Sequence, residues 1–232
     1  MTVEATASGG ERRDALTRTR VVEAAVELAD REGLDSVSMR RLGQELGVEA
    51  MSLYTHVRGK DDLLDAMVDL VVGEIAAVTA KTWKDTLRGL VLAARAVMLR
   101  HRWTPRVIQA RPSPGPATLR QFDSVMRTLR EAGFTLDLTH HAIHVLGSRV
   151  LGFSQDLYDD STALDPVAAG VFARQIGDRF PYVAEMAVAA THDGVLGACD
   201  DELEFRLGLD LILDGLERLQ AEGAGAVADS GA

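Results

Sequence analysis

Cysteine is almost absent from this chain. A single one, Cys199, stands among 232 residues, so no intramolecular disulfide can form and no Cys-x-x-Cys metal motif exists. No run of 18 or more apolar residues occurs, which excludes a transmembrane helix. The first residues are polar and lack the apolar stretch of a secretion signal. A soluble cytoplasmic protein with no membrane association is the expectation. Also missing are a glycine-rich nucleotide loop, a nucleophile elbow and a pair of carboxylates at catalytic spacing. No enzyme is signalled, and no cofactor. Prolines number six, and three of them fall within Arg111-Pro-Ser-Pro-Gly-Pro116. Such a segment cannot sit inside a helix, so it marks one sharp break in a proline-poor chain.

What is present is helical periodicity. Val21, Val22, Ala25, Leu28 and Ala29 form an apolar stripe in a helix expected over about 16–32, ended by Gly33. Further helices are expected from Asp61 or Asp62 to about Ala80, and over roughly 84–101, 117–132, 137–158, 167–190 (interrupted near Pro181) and 201–221. Nothing alternates with period two. The fold class is therefore all-α: an N-terminal three-helix unit at 14–62 and a larger helical body at 63–221. Residues 1–13 and 222–232, poor in large apolar side chains, are expected to be mobile ends.

The most specific signal is Ser38-Met-Arg-Arg-Leu-Gly-Gln-Glu-Leu-Gly-Val-Glu-Ala-Met-Ser-Leu-Tyr-Thr-His-Val-Arg-Gly-Lys60. Ser38 is a good N-cap; Met39, Leu42 and Leu46 share one face; Gly47 stands where a left-handed residue ends the helix. Glu49 to Thr55 then forms a second short helix that buries Leu53. Two helices joined by so tight a turn make a helix-turn-helix, whose second helix fits the DNA major groove. The net charge of −10 looks wrong for a DNA binder, but it is unevenly spread. Residues 12–60 carry nine Lys/Arg against eight Asp/Glu, whereas residues 61–232 carry sixteen against twenty-five. Bulk charge says little about a local basic face.

Together with Thr17-Arg-Thr-Arg-Val-Val-Glu-Ala-Ala-Val-Glu-Leu-Ala-Asp-Arg-Glu-Gly-Leu34 and Leu53-Tyr-Thr-His-Val57, followed by Lys60 and Leu63-Leu64, this segment resembles the TetR family of transcriptional regulators. The likeness extends to Thr82-Trp-Lys-Asp-Thr-Leu-Arg88, the Ala110-Arg-Pro112 turn, Gly133-Phe-Thr-Leu136 and Gly208–Glu217, which resemble the ligand-binding domain of the family's tetracycline-responsive branch. It covers about residues 14–221. The resemblance implies a repressor that is a homodimer, binds a near-palindromic double-stranded operator and is released by a small-molecule inducer; an activator is equally compatible with the residues. Lys60, Tyr54 and His56 match backbone-contacting positions, and Arg40 a guanine-reading one, where arginine donates twice to O6 and N7. Ala50, Met51, Ser52 and Thr55 match base-facing positions. Ala50 and Met51 depart from the tetracycline branch and suit thymine methyls, so a different operator is expected.

For the inducer, the resemblance points to Val107, Arg111, Phe122, Val125, His140, Ile143, His144, Ser148 and Asp156. The tetracycline branch grips a magnesium–drug chelate, whereas Ala76, Val107, Val125 and Ser148 at the corresponding places are poor magnesium ligands. A more apolar inducer is expected, oriented by groups such as Arg111, His140 or His144. Leu203, Leu207, Leu211 and Leu216 with Ile212 make a stripe suited to the dimer interface. His140 and His144, one turn apart, also permit zinc ligation, and a small metal-dependent hydrolase is the competing class. They lack the intervening Glu and an assured third ligand, so packed or pocket-lining imidazoles are expected and no metal site.

Overall fold

The computed structural model describes residues 15–152, 166–189 and 201–229, and among these there is no strand. Eleven helices follow in order: α1 Arg18–Glu32, α2 Met39–Leu46, α3 Ala50–Leu53, α4 Lys60–Gly73, α5 Trp83–Arg100, α6 Thr104–Ala110, α7 Pro116–Glu131, α8 Leu136–Gly152, α9 Pro166–Ile176, α10 Pro181–Ala189 and α11 Asp201–Asp229. The all-α class expected from periodicity is what forms. No helix among the described residues is long and apolar enough to cross a membrane.

Helix starts follow local chemistry. The Thr17 hydroxyl accepts the Arg20 N–H at 3.2 Å and the Ser38 hydroxyl the Arg41 N–H at 3.2 Å, each satisfying a donor that the first turn leaves free. Thr82 and Asp85 close a capping pair at the start of α5. The ends differ more from expectation. α4 stops at Gly73 rather than near residue 80, because glycine ends the regular turn and the Thr82 cap restarts the helix nine residues later. α6, with Pro105 tolerated in its first turn, occupies a stretch where no separate helix was foreseen. α11 runs to Asp229, past the expected end at 221.

Two cores result. The first joins Val21, Ala25 and Leu28 of α1 to Leu42, Leu53, Leu63 and Met67, and continues along α4 and α5 to Val71, Leu90, Met98 and Val107. The second packs Leu87, Leu129, Phe134, Ala142 and Leu146 against Phe205, Leu209, Leu213 and Leu216 of α11. The Arg95 and Arg149 guanidiniums lie 4.5 and 4.9 Å from the Phe205 ring centroid, a favourable cation–ring arrangement. Leu216 thus turns inward and Ile212 packs against the same core, so only Leu203, Leu207 and Leu211 of the anticipated stripe remain outside, at 57%, 59% and 66% exposure. α4 belongs to the first core along its whole length, so it crosses the boundary expected at residues 62–63 and ties the N-terminal unit to the body.

Candidate nucleic-acid interface and ligand cavity

Gly47 adopts φ 66° and ψ 34°, the left-handed conformation that only glycine takes without strain. The Val48 N–H reaches back to the Gly43 carbonyl at 2.9 Å, so the chain reverses tightly between α2 and α3. Leu53, fully buried, anchors α3 from beneath. Met51 is 72% exposed and Ser52 is exposed, Ala50 is half-buried, and Thr55, just beyond the helix, is exposed. Arg40 is exposed on α2, Tyr54 is 47% exposed just beyond α3, His56 is half-buried, and Lys60 is exposed at the first residue of α4. The structure therefore brings the eight expected DNA contacts onto one short segment with α3 as its rim. The first turn of α4 has no side-chain cap, and uncapped N–H groups at a helix start are suited to anions.

A clamp that sequence reasoning missed fixes this segment from behind. The Arg18 guanidinium of α1 donates to the His56 carbonyl at 2.8 Å and to Asp62 at 2.8 and 3.1 Å. Asp62 also accepts the Arg58 N–H at 2.9 Å. The hydrogen bond from Arg18, followed by that from the Arg58 backbone, holds the Asp62 carboxyl well below the usual carboxylate range. Its stabilising effect is therefore complete at neutral pH and fades only as acid reaches ordinary carboxylate values and below.

Asp62 is the first of three carboxylates spaced along one side of α4. Asp65 pairs with Arg111 and Asp69 accepts the Ala117 N–H at the start of α7. At positions i, i+3 and i+7 these three lie on one face. One end of α4 is thus tied to the DNA-facing segment and the middle to the α6–α7 loop. A second junction lies at the α5–α6 corner. There His101 Nδ1 is 2.8 Å from Asp30 of α1, Trp103 Nε1 donates to Asp30 at 2.7 Å, and Glu74 lies 3.3 Å from His101 Nε2.

Beside α4 lies a cavity of about 780 Å³, its open mouth included, lined by Val72, Ile75, Leu90, Val91, Ala94, Met98, Ile108, Phe122, Val125, Ile143, Leu146, Val150 and Leu151, with Gly147 in the α8 wall. Among the described residues, Thr118 and Gln121 supply its polar side chains. The apolar lining suits a mostly apolar small molecule. Of the residues expected to contact an inducer, Phe122, Val125 and Ile143 line this space. Val107 is buried in the adjoining core. Arg111 lines a neighbouring hollow that shares Ile108, Thr118 and Phe122 with the cavity, and its charge is directed at Asp65. His140, His144 and Ser148 are exposed on α8 and outside the lining. Asp156 lies outside the described residues, as does Cys199. Thr118 and Gln121 were not anticipated; their spacing from Phe122 and Val125 on α7 was the available signal.

The match to known proteins follows the same two-part division. Residues 21–67 match the model described as bacterial regulatory proteins, tetR family, and residues 77–220 that described as tetracyclin repressor-like, C-terminal domain. The transcriptional repressor DrrR1 of Streptomyces coeruleorubidus is 34% identical over 227 residues, covering 90% of this chain and 80% of that protein. The apo structure of ActR from Streptomyces coelicolor superposes with a TM-score of 0.71 at 31% identity, over 90% of this chain and 98% of ActR. ActR in complex with actinorhodin gives a TM-score of 0.70 at 31% identity, over 89% of this chain and 99% of ActR.

Proposed function

The chain belongs to the TetR family of bacterial transcriptional regulators, and from that premise we propose that it is a homodimeric repressor, released from a near-palindromic operator when a small apolar molecule fills the cavity beside α4. The single observation that carries this reading is the double attachment of α4. Its first turn holds Lys60 and Asp62 against the DNA-facing segment, and its far end supplies Val72 and Ile75 to the cavity. A molecule that binds better when α4 is displaced shifts the population away from the DNA-competent arrangement; equal affinity for both arrangements would shift nothing.

The ligand class follows from the lining. With Thr118 and Gln121 as the polar side chains of the lining among the described residues, the cavity favours a mostly apolar small molecule held by one or two hydrogen bonds. Similar ActR is solved in complex with actinorhodin, which supports a small-molecule ligand here as well. Leu203, Leu207 and Leu211 on α11 with Val145 on α8, all exposed, support a second copy as the covering partner. Two-fold symmetry then calls for two half-sites about one helical turn apart.

DNA binding is tested with duplex from the region upstream of the protein's own gene, measured across salt. Specific binding should weaken steeply as salt rises. Arg40→Ala should cost about 1–3 kcal/mol and relax preference at one base pair; an equal loss on every sequence would make Arg40 a phosphate contact instead. The cavity is tested with Gly147→Leu. A Cβ at Gly147 meets nothing within 4 Å, so the new side chain enters empty space without a clash and the helix gains up to about 1 kcal/mol in propensity. Thermal stability should hold or rise, while the fluorescence of added anilinonaphthalene sulfonate, an apolar anionic probe, should drop. Unchanged probe binding would place the site elsewhere.

A further inference from the structure

His140 and His144 take no part in the DNA-facing segment or the cavity lining. Packed or pocket-lining imidazoles were the expectation, and both residues are instead exposed on α8. Their rings nevertheless lie side by side, edge to face, with centroids 4.7 Å apart and planes at 70°. Two imidazoles on one ion with metal–nitrogen bonds of about 2.0–2.1 Å have centroids about 3.2 Å from the metal, so right-angled to tetrahedral ligand angles separate the centroids by about 4.5–5.2 Å. The observed spacing falls in that interval.

We propose that His140 and His144 chelate one divalent first-row transition-metal ion, of the zinc, nickel or copper kind, with water completing the shell. Imidazole nitrogen is a borderline-soft donor that suits these ions and not magnesium or calcium, which demand oxygen. Residues four apart share a helical face, which lets both rings reach one point, whereas His141 starts about 100° further round the axis and its ring centroid lies 5.6 Å from that of His140, outside the chelate interval. His141 instead lies 3.7 Å from Asp137. The site sits on a definite flank. α8 meets the α11 core through Ala142, Leu146 and Leu138, and Arg149 donates to the Glu204 carbonyl at 2.6 Å. His140 and His144 lie on the other side of the helix, beside Ile143 and Gly147 of the cavity wall. An ion there stands just outside the cavity and leaves the exposed leucines of α11 uncovered. No group of three or more metal-ligating side chains exists among the described residues, so the chelate is an open one.

The full chain, stripped with a chelator, is titrated with nickel or zinc chloride by calorimetry. One ion per chain is expected to bind. His140→Gln and His144→Gln should each weaken binding by about tenfold or more, His141→Gln by less than about twofold, and magnesium chloride should give no saturable heat. Both positions are exposed, and circular dichroism verifies that each variant keeps its helices. Absence of saturable nickel and zinc uptake by the parent chain overturns the site. Undiminished uptake by the His140→Gln/His144→Gln double variant, dependence on His141, or equal binding of magnesium does the same.

Discussion

Gly43→Leu is expected to abolish specific DNA binding while leaving the body folded. Gly43 is buried in α2 opposite the turn, and a Cβ there would stand 2.8 Å from the Val48 carbonyl oxygen and 3.1 Å from the Ala50 nitrogen. Both obstacles are backbone, so no rotamer change relieves them and α3 must move bodily. Overpacking of this kind costs about 1–3 kcal/mol in stability. The cost to DNA binding is larger under the proposed function, in which Arg40 on α2, Met51 and Ser52 on α3 and Thr55 just beyond it reach one groove together. Losing two base contacts at about 1–3 kcal/mol each already lowers affinity by roughly a hundredfold. Fluorescence anisotropy with a labelled operator duplex measures it, and circular dichroism melting checks the helical body. Affinity within about threefold of the parent would mean that α2 and α3 are not held in a fixed relation by this close approach.

What was legible in the sequence was local. The helix-turn-helix declares itself because its determinants lie within ten residues of one another: the Ser38 cap, the apolar spacing of Met39, Leu42 and Leu46, and the left-handed Gly47. The features that sequence reasoning missed are long-range pairs. Asp65 and Arg111 are 46 positions apart, so the ion pair that ties Arg111 to α4 could not be read from the chain. Asp30 and His101 are separated by 71 positions. The α8 histidines lie outside the cavity lining for another reason. Leu138, Ala142, Ile143, Leu146 and Val150 spread apolar character over a wide arc of that helix, and only its packing against α5, α7 and α11 decides which flank is buried. Phe122, Val125 and Ile143 reach the cavity wall; His140, His144 and Ser148 do not.

Asp30→Ala should destabilise the whole protein and loosen the junction between the DNA-facing unit and the body. One substitution removes the acceptor for Trp103 Nε1 and for His101 Nδ1, whose residues are only 7% and 5% exposed. A buried donor left without a partner costs about 1–3 kcal/mol. Two are stranded here, but the Asp30 side chain is 28% exposed, so water entering the vacated space relieves part of the loss and a net cost of about 2 kcal/mol is expected. For a chain of this length that lowers Tm by roughly 4–8 °C. Asp30→Asn keeps one acceptor and should fall between the parent and the alanine variant. The losses of Asp30→Ala and Trp103→Phe should combine to less than their sum, since each removes the same hydrogen bond. Hydrogen exchange should quicken first in the last turn of α1 and at the α5–α6 corner, because Glu74, 3.3 Å from His101 and paired with Arg100 at 2.6 Å, then holds that corner without help from α1. Operator affinity should fall far less than in Gly43→Leu, since the α2–α3 turn is untouched. Strict additivity with Trp103→Phe, or a stability change below about 0.5 kcal/mol, would show that Asp30 is solvated in solution and that α4 alone joins the two halves.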